Sequence, residues 1–193
     1  MKLLSIVGTA SIRFFTLFAI TSSTLSAEVQ RLKPDEFQLF KIVAADPGQL
    51  RRKMSLEPIL CKVARERAAD MDRRHYFSHT NPSGFGPNRL VRRAGFFLLP
   101  YYDQSKSGNN IESLALSFGG PADAFSDWKG SDAHRTHLLG INPFYRTQTA
   151  IGVGIVHSDY NYYVFLSASK NTNKNPPMVI LKDPAGNIIS STR

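Results

Sequence analysis

Apolar residues recur at three- and four-residue spacing in two stretches near the start of the chain. In residues 35–46, Phe37, Phe40, Val43 and Ala44 mark one side of a helix. Leu39 and Ile42 widen that side into a face broad enough to be well buried. Pro34, Asp35 and Glu36 suit its first turn. Residues 56–74 carry the clearest helical pattern. Leu56, Leu60, Val63, Ala64, Ala68 and Met71 share a face, and Lys62, Glu66, Asp70 and Arg74 form a charged side. Ser55 is placed to cap this helix, and Pro58 is tolerated in its first turn. Lys62–Glu66 and Asp70–Arg74 are spaced to pair across one turn, each pair worth about 0.2–0.5 kcal/mol.

The pattern then breaks. Residues 75–87, "HYFSHTNPSGFGP", are rich in Gly, Pro, Asn and Ser and predict a loop. A short helix over "NRLVRRA" stops at Gly95, "FFLLPYY" reads as extended, and "DQSKSGNN" as a polar, mobile segment. Pro121 opens another helix that ends at Gly130. Ser131 is placed to cap a helix from Asp132 to Leu139, with Gly140 as its stop. The β-rich runs come late. "AIGVGIV" and "YYVFLSA", joined by "HSDYN", predict a hairpin. "MVIL" and "NIIS" around "KDPAG" predict either a second, smaller hairpin or a dangling tail. Helices first and strands late point to an α+β fold, not a parallel sheet.

Composition adds a destination. Lys2 and Arg13 are the only charges in the first 27 residues, which hold "FFTLFAI" and then the small, polar "TSSTLSA". This reads as an export signal, residues 1–27, cleaved after Ala27. An uncleaved anchor is the alternative, although the apolar run is short of the about 20 residues that a span needs. Residues 28–193 then make one domain with its core at about 35–169 and a C-terminal extension over 170–193, secreted or periplasmic, with no membrane span once the signal is removed. The single cysteine, Cys61, has no intrachain partner and sits in an apolar helix, so it reads as a small buried hydrophobe.

The net charge is +9 and unevenly spread, with eleven Lys and Arg against four acids in residues 51–93. Such a patch attracts anionic envelope polymers, phospholipid or nucleic acid, but the plainest reading is a solvated helix face. No aromatics alternate with the basic residues as a nucleic-acid groove would want, so nucleic acid is not expected as a partner.

Chemistry centres on histidines. His134 stands in the first turn of its helix, where the positive helix end favours the neutral imidazole. His137 lies three residues on, with Arg135 between them and no glutamate, so the pair does not match the metal-binding H-E-x-x-H pattern. His79, in "FSHTNPSG", is the candidate partner of His134 from elsewhere in the chain. No G-x-S-x-G elbow, phosphate loop or paired-carboxylate pattern is present.

Three segments, "HYFSHTNPSGFGPNRLVRRAGF", "GNNIESLA" and "DAFSDWKGSDAHRTHLLGINPFYRTQTAIGVGI", resemble in order and spacing the CAP superfamily. That superfamily joins cysteine-rich secretory proteins, antigen 5 and pathogenesis-related proteins, with disulfide-free bacterial members. The resemblance implies a three-layer α-β-α sandwich around a central, mainly antiparallel sheet. It also implies a cleft of four residues, matched here by His79, Asn109, Ser131 and His134. Asn109 falls where the family has a glutamate; Glu112 could replace that carboxylate only if the backbone allowed it, and His137 is a supporting residue. With no carboxylate among the four, the resemblance implies a non-catalytic binder of a lipid, a peptide or an anionic envelope component. A metal-dependent hydrolase using His79 and His134 to hold a divalent ion such as zinc is one alternative. A structural envelope protein with a vestigial cleft is another.

Overall fold

The computed structural model describes residues 27–170, 173 and 175–192. Residues 1–26, on which the export-signal expectation rests, lie outside the described residues. In chain order the elements are β1 (Glu28–Arg31), α1 (Pro34–Ala45), β2 (Ser55–Leu56), α2 (Pro58–Arg74), α3 (Pro87–Arg93), β3 (Glu112–Ser117), α4 (Pro121–Gly130), α5 (Asp132–Leu138), α6 (Pro143–Arg146), β4 (Ala150–His157), β5 (Asn161–Ala168), β6 (Val179–Lys182) and β7 (Ile188–Ser191).

The main sheet has the order β2-β4-β5-β3, antiparallel except for the short parallel pairing of β2 with β4. Strand alternation sends its side chains into two cores. Leu114, Tyr162, Val164 and Leu166 pack against Leu60, Val63, Ala64, Ala68 and Met71 of α2. Ile151, Val153, Ile155, Tyr163 and Phe165 pack on the other face with Leu39 and Val43 of α1 and Phe125 and Trp128 of α4. The result is the three-layer α-β-α sandwich with a mainly antiparallel centre. Trp128 also donates its indole N–H to the Leu114 carbonyl at 2.8 Å, covering part of the edge strand β3.

The Gly-Val-Gly run of β4 has a packing reason. A Cβ on Gly152 would collide with the backbone of Leu60, and one on Gly154 with that of Ala64 and Arg65. Helix α2 therefore lies directly on the strand. Gly154→Ala is expected to cost about 1–3 kcal/mol through overpacking, read as a lower midpoint in thermal unfolding; an unchanged midpoint would mean that α2 rises off the strand without loss.

Several local expectations change in context. Ser55 does not cap α2; with Leu56 it forms β2, and the Glu57 side chain accepts from the Leu60 N–H at 2.8 Å instead. Burial pushes the Glu57 carboxyl up to about 7. Lys62 pairs with Glu28 at 2.5 Å, not with Glu66, and Asp70 meets Arg74 only at 3.5 Å. The run 96–102 forms no strand; it passes irregularly into a turn. Nor is the segment after it loose. Gly86 donates to the Lys106 carbonyl, Asn88 to that of Gly108, and the Asn110 side-chain oxygen accepts from the Asp103 N–H. "MVIL" and "NIIS" form the hairpin β6–β7, which is not a dangling tail because β1 pairs with β6 in parallel and Val179 and Leu181 are buried. Cys61 is fully buried, and burial pushes its thiol up to about 12, as an inert core residue requires.

Candidate functional site

Helix α2 ends at His75, whose left-handed backbone (φ 51°) turns the chain into the 76–86 loop. Arg67, in the apolar stripe of α2, holds this loop from below. Its side chain is 2% exposed and donates to the carbonyls of Ser78 (2.7 Å) and His79 (3.2 Å) and to the Tyr76 hydroxyl (2.6 Å). The Tyr76 hydroxyl in turn donates a hydrogen bond to Asp70 at 2.6 Å.

The same guanidinium grips Glu112 at the start of β3. Nε reaches Oε1 at 2.9 Å and Nη2 reaches Oε2 at 3.3 Å. Glu112 Oε2 also lies 3.0 Å from His79 Nδ1, and the carboxylate is wholly buried. A carboxylate only accepts, so Nδ1 carries a proton and donates a hydrogen bond to Glu112. Glu112 therefore supplies a carboxylate to His79 from the position that the sequence left conditional.

Asn109 is placed differently. Its side-chain oxygen accepts from the N–H groups of Ile111 (3.2 Å) and Glu112 (2.9 Å), and its amide donates to the Glu112 carbonyl at 3.3 Å. These bonds shape the entry to β3 and fix which way Glu112 points. The neighbouring Asn110 is used by Asn88 and Asp103.

His134 is half-buried in the first turn of α5. Burial, and secondly the nearby charge of His79, hold its imidazole below the ordinary histidine value of 6.5. The two histidines are therefore electrostatic neighbours, and burial, not the helix end, is the main cause. NMR titration is expected to give His134 a midpoint below 6.5, rising in His79→Ala; a midpoint indifferent to that substitution would separate the two rings. Ser131 stands at the α5 N-cap with extended backbone, but its hydroxyl makes no capping bond, and its carbonyl accepts from the Arg135 N–H.

His137 points to the other core. Its ring is buried between Ser113 Oγ (2.7 Å from Nδ1) and Ser167 Oγ (2.8 Å from Nε2). Ser167 donates to Gln148 at 2.6 Å, so it accepts from Nε2–H, which leaves Nδ1 to accept from Ser113. Buried Arg51 donates to the His137 and Leu138 carbonyls, both at 2.5 Å, tying down the end of α5. His137 thus holds the helix that carries His134.

Among the described residues no group of three or more His, Cys, Asp or Glu side chains could hold a metal ion, and Glu112 already serves Arg67 and His79. Nor is any described helix long and apolar enough to cross a membrane. A cavity of about 560 Å³ reaches Arg67 from the side of α2 and α3, lined also by Asn81, Phe85 and Arg93.

Sequence reasoning overlooked Arg67. The signal was its spacing: it follows Val63 by four and precedes Met71 by four, which puts a charge inside the apolar stripe. Glu112, the lone acid between Asp103 and Asp123, is the complementary signal.

Comparison with known proteins matches residues 49–169 to the sequence model described as CAP, cysteine-rich secretory protein family. The uncharacterized protein YkwD of Bacillus subtilis (strain 168) is 31% identical over 113 residues, which are 56% of this chain and 38% of that protein. The chain thus spans well under half the length of this relative. Among solved structures, an outer surface protein from Borrelia burgdorferi superposes with a TM-score of 0.52 at 20% identity, over 72% of this chain and 98% of that one. An extracellular protein containing an SCP domain from Bacillus anthracis gives 0.50 at 20% identity, over 72% and 44% of the respective chains. At such identity these structures bear on the fold alone.

Proposed function

Because this chain belongs to the CAP family of cysteine-rich secretory proteins, we propose that it is an extracytoplasmic binding domain, not an enzyme, with its ligand recognised beside His79, Glu112 and His134. The observation that carries this reading is the occupancy of Glu112. Both carboxylate oxygens are bonded to Arg67, and one also to His79. A carboxylate so engaged is not free to take a proton from an attacking water. What remains for a ligand is the His79 Nε2 edge and the imidazole of His134, which burial and the charge of His79 hold towards its neutral, accepting form. The ligand class is a lipid, a peptide or an anionic envelope component. Placement outside the cytoplasm is supported by the export-like first 27 residues.

The test is native mass spectrometry of metal-free protein incubated with an envelope extract. An adduct retained by the wild type and lost in His134→Ala supports the reading. A zinc-dependent hydrolytic activity that vanishes in His79→Ala and His134→Ala, with adduct formation untouched, would overturn it.

A further inference from the structure

The segment that leaves α1 and the one that joins α5 to β4 meet on one face, and neither holds an acid. Residues 47–56 carry Arg51, Arg52 and Lys53, and residues 133–158 carry Arg135 and Arg146. Hydrogen bonds lock the two segments together. Leu50 donates its N–H to the Leu139 carbonyl at 2.9 Å, and the Gln49 amide donates to the Leu138 carbonyl at 3.0 Å. Arg146 donates to the Ile141 carbonyl at 2.8 Å. A cavity of about 500 Å³ opens here, lined by Leu50, Arg52, Lys53, Arg146 and Thr149. Its three cations are exposed. None of them forms an ion pair with a carboxylate among the described residues.

The acids that flank these segments are engaged or lie elsewhere. Asp46 pairs with Lys129 at 2.8 Å, and Asp132 pairs with Arg135. Glu57 caps α2 and borders a different cavity, and Asp159 lines another beside His75. Behind the face, buried Arg51 bonds to carbonyls, Gln49 and Ser167, so no carboxylate answers its charge either. Apolar groups share the surface: Leu50 is 44% exposed and Ile141 40%.

We propose that this face docks onto an anionic phospholipid bilayer. Charge supplies the attraction: each Lys or Arg held near such a surface contributes roughly fivefold to partitioning. Leu50 and Ile141 supply the preference for lipid. Apolar side chains among cations gain by entering the boundary between headgroups and acyl chains, and a hydrated anionic polymer offers them nothing comparable. No aromatic ring lines the cavity, so bases have no platform and nucleic acid is disfavoured. The face shares no residue with the histidine site and does not depend on it.

Partitioning of the full chain onto vesicles tests the proposal, with mixed phosphatidylglycerol and phosphatidylcholine compared with phosphatidylcholine alone at several salt concentrations. Residues 1–26 are common to every variant, so their contribution cancels in the ratios. The wild type is expected to prefer the mixed vesicles and to bind them more weakly as salt rises. Arg52→Gln with Lys53→Gln should lose about twentyfold on the mixed vesicles. Arg73→Gln with Arg89→Gln removes the same charge from exposed positions on α2 and α3 and should lose less than about twofold. Leu50→Ser with Ile141→Ser should lose about fivefold and keep the salt dependence. Circular dichroism establishes that the variants fold. Equal losses in the two charge pairs, or equal binding to the two kinds of vesicle, would overturn the assignment. So would full binding by the Leu50 and Ile141 variant, which would mark a soluble anionic polymer as the occupant. His134→Ala should leave vesicle binding unchanged, so failure of either reading is seen independently of the other.

Discussion

Arg67→Ala is expected to destabilise the fold by about 3–5 kcal/mol, because it leaves the buried Glu112 charge without its partner. The two side chains are 2% and 0% exposed, so water does not compensate. The same substitution removes the bonds that Arg67 makes to the carbonyls of Ser78 and His79. Arg67→Met with Glu112→Leu separates the two effects. Replacing the whole pair with apolar groups should restore most of the stability, while His79 remains without either anchor. Urea unfolding at neutral pH measures the first effect, and the His79 ring signals in NMR measure the second. A loss below about 1 kcal/mol for Arg67→Ala would contradict a pair that depends on exclusion of water.

Acid is expected to weaken the fold through His137. Burial foremost, then the charge of Arg51, holds its imidazole well below the ordinary 6.5. Above 6.5 the ring is neutral in folded and unfolded chains alike, and the stability is complete. As pH falls below 6.5 the unfolded chain takes up a proton that the folded chain refuses. Stability then drops by about 1.4 kcal/mol per pH unit until the folded value is reached. His134, also lowered, acts in the same direction. Glu57, raised to about 7, opposes both: its carboxyl is protonated more readily in the folded chain, which gains stability as pH falls from about 7 towards 4.5. The difference between wild type and His137→Leu therefore isolates the histidine. That variant should lose about 1–3 kcal/mol at pH 7.5, since Ser113 and Ser167 lose a buried partner. Its deficit should then shrink as the wild type weakens towards pH 5. A deficit constant over that range would mean that His137 titrates normally.

Much of this architecture is visible in local pattern. The stripe on α2, the α4 stop at Gly130 and the β4–β5 hairpin all follow from periodicities and turn residues that no distant contact alters. Strand β3 escaped notice because "ESLALS" has weak alternation; it is a strand because β5 supplies a partner along its whole length. The fate of Ser55 has a similar cause. It has the chemistry of a cap, but pairing of Ser55 with Ala150 draws it into the sheet and moves the cap to Glu57.

At the site, the chain's local pattern supplies the types of group available: two histidines fifty-five residues apart, one acid between Asp103 and Asp123, and an arginine inside an apolar stripe. How they combine follows from long-range pairing. Motif order put Asn109 at the carboxylate position, yet Asn109 spends its side chain on the backbone of residues 111 and 112. Glu112 pairs with Leu166 and so shares a face with Leu114, turned towards α2 and Arg67. Strand alternation assigns a face only once the register is known, and register comes from pairing with residues more than forty positions away. An ion pair that joins a helix to a strand has no local period, which is why its two halves were legible and their meeting was not.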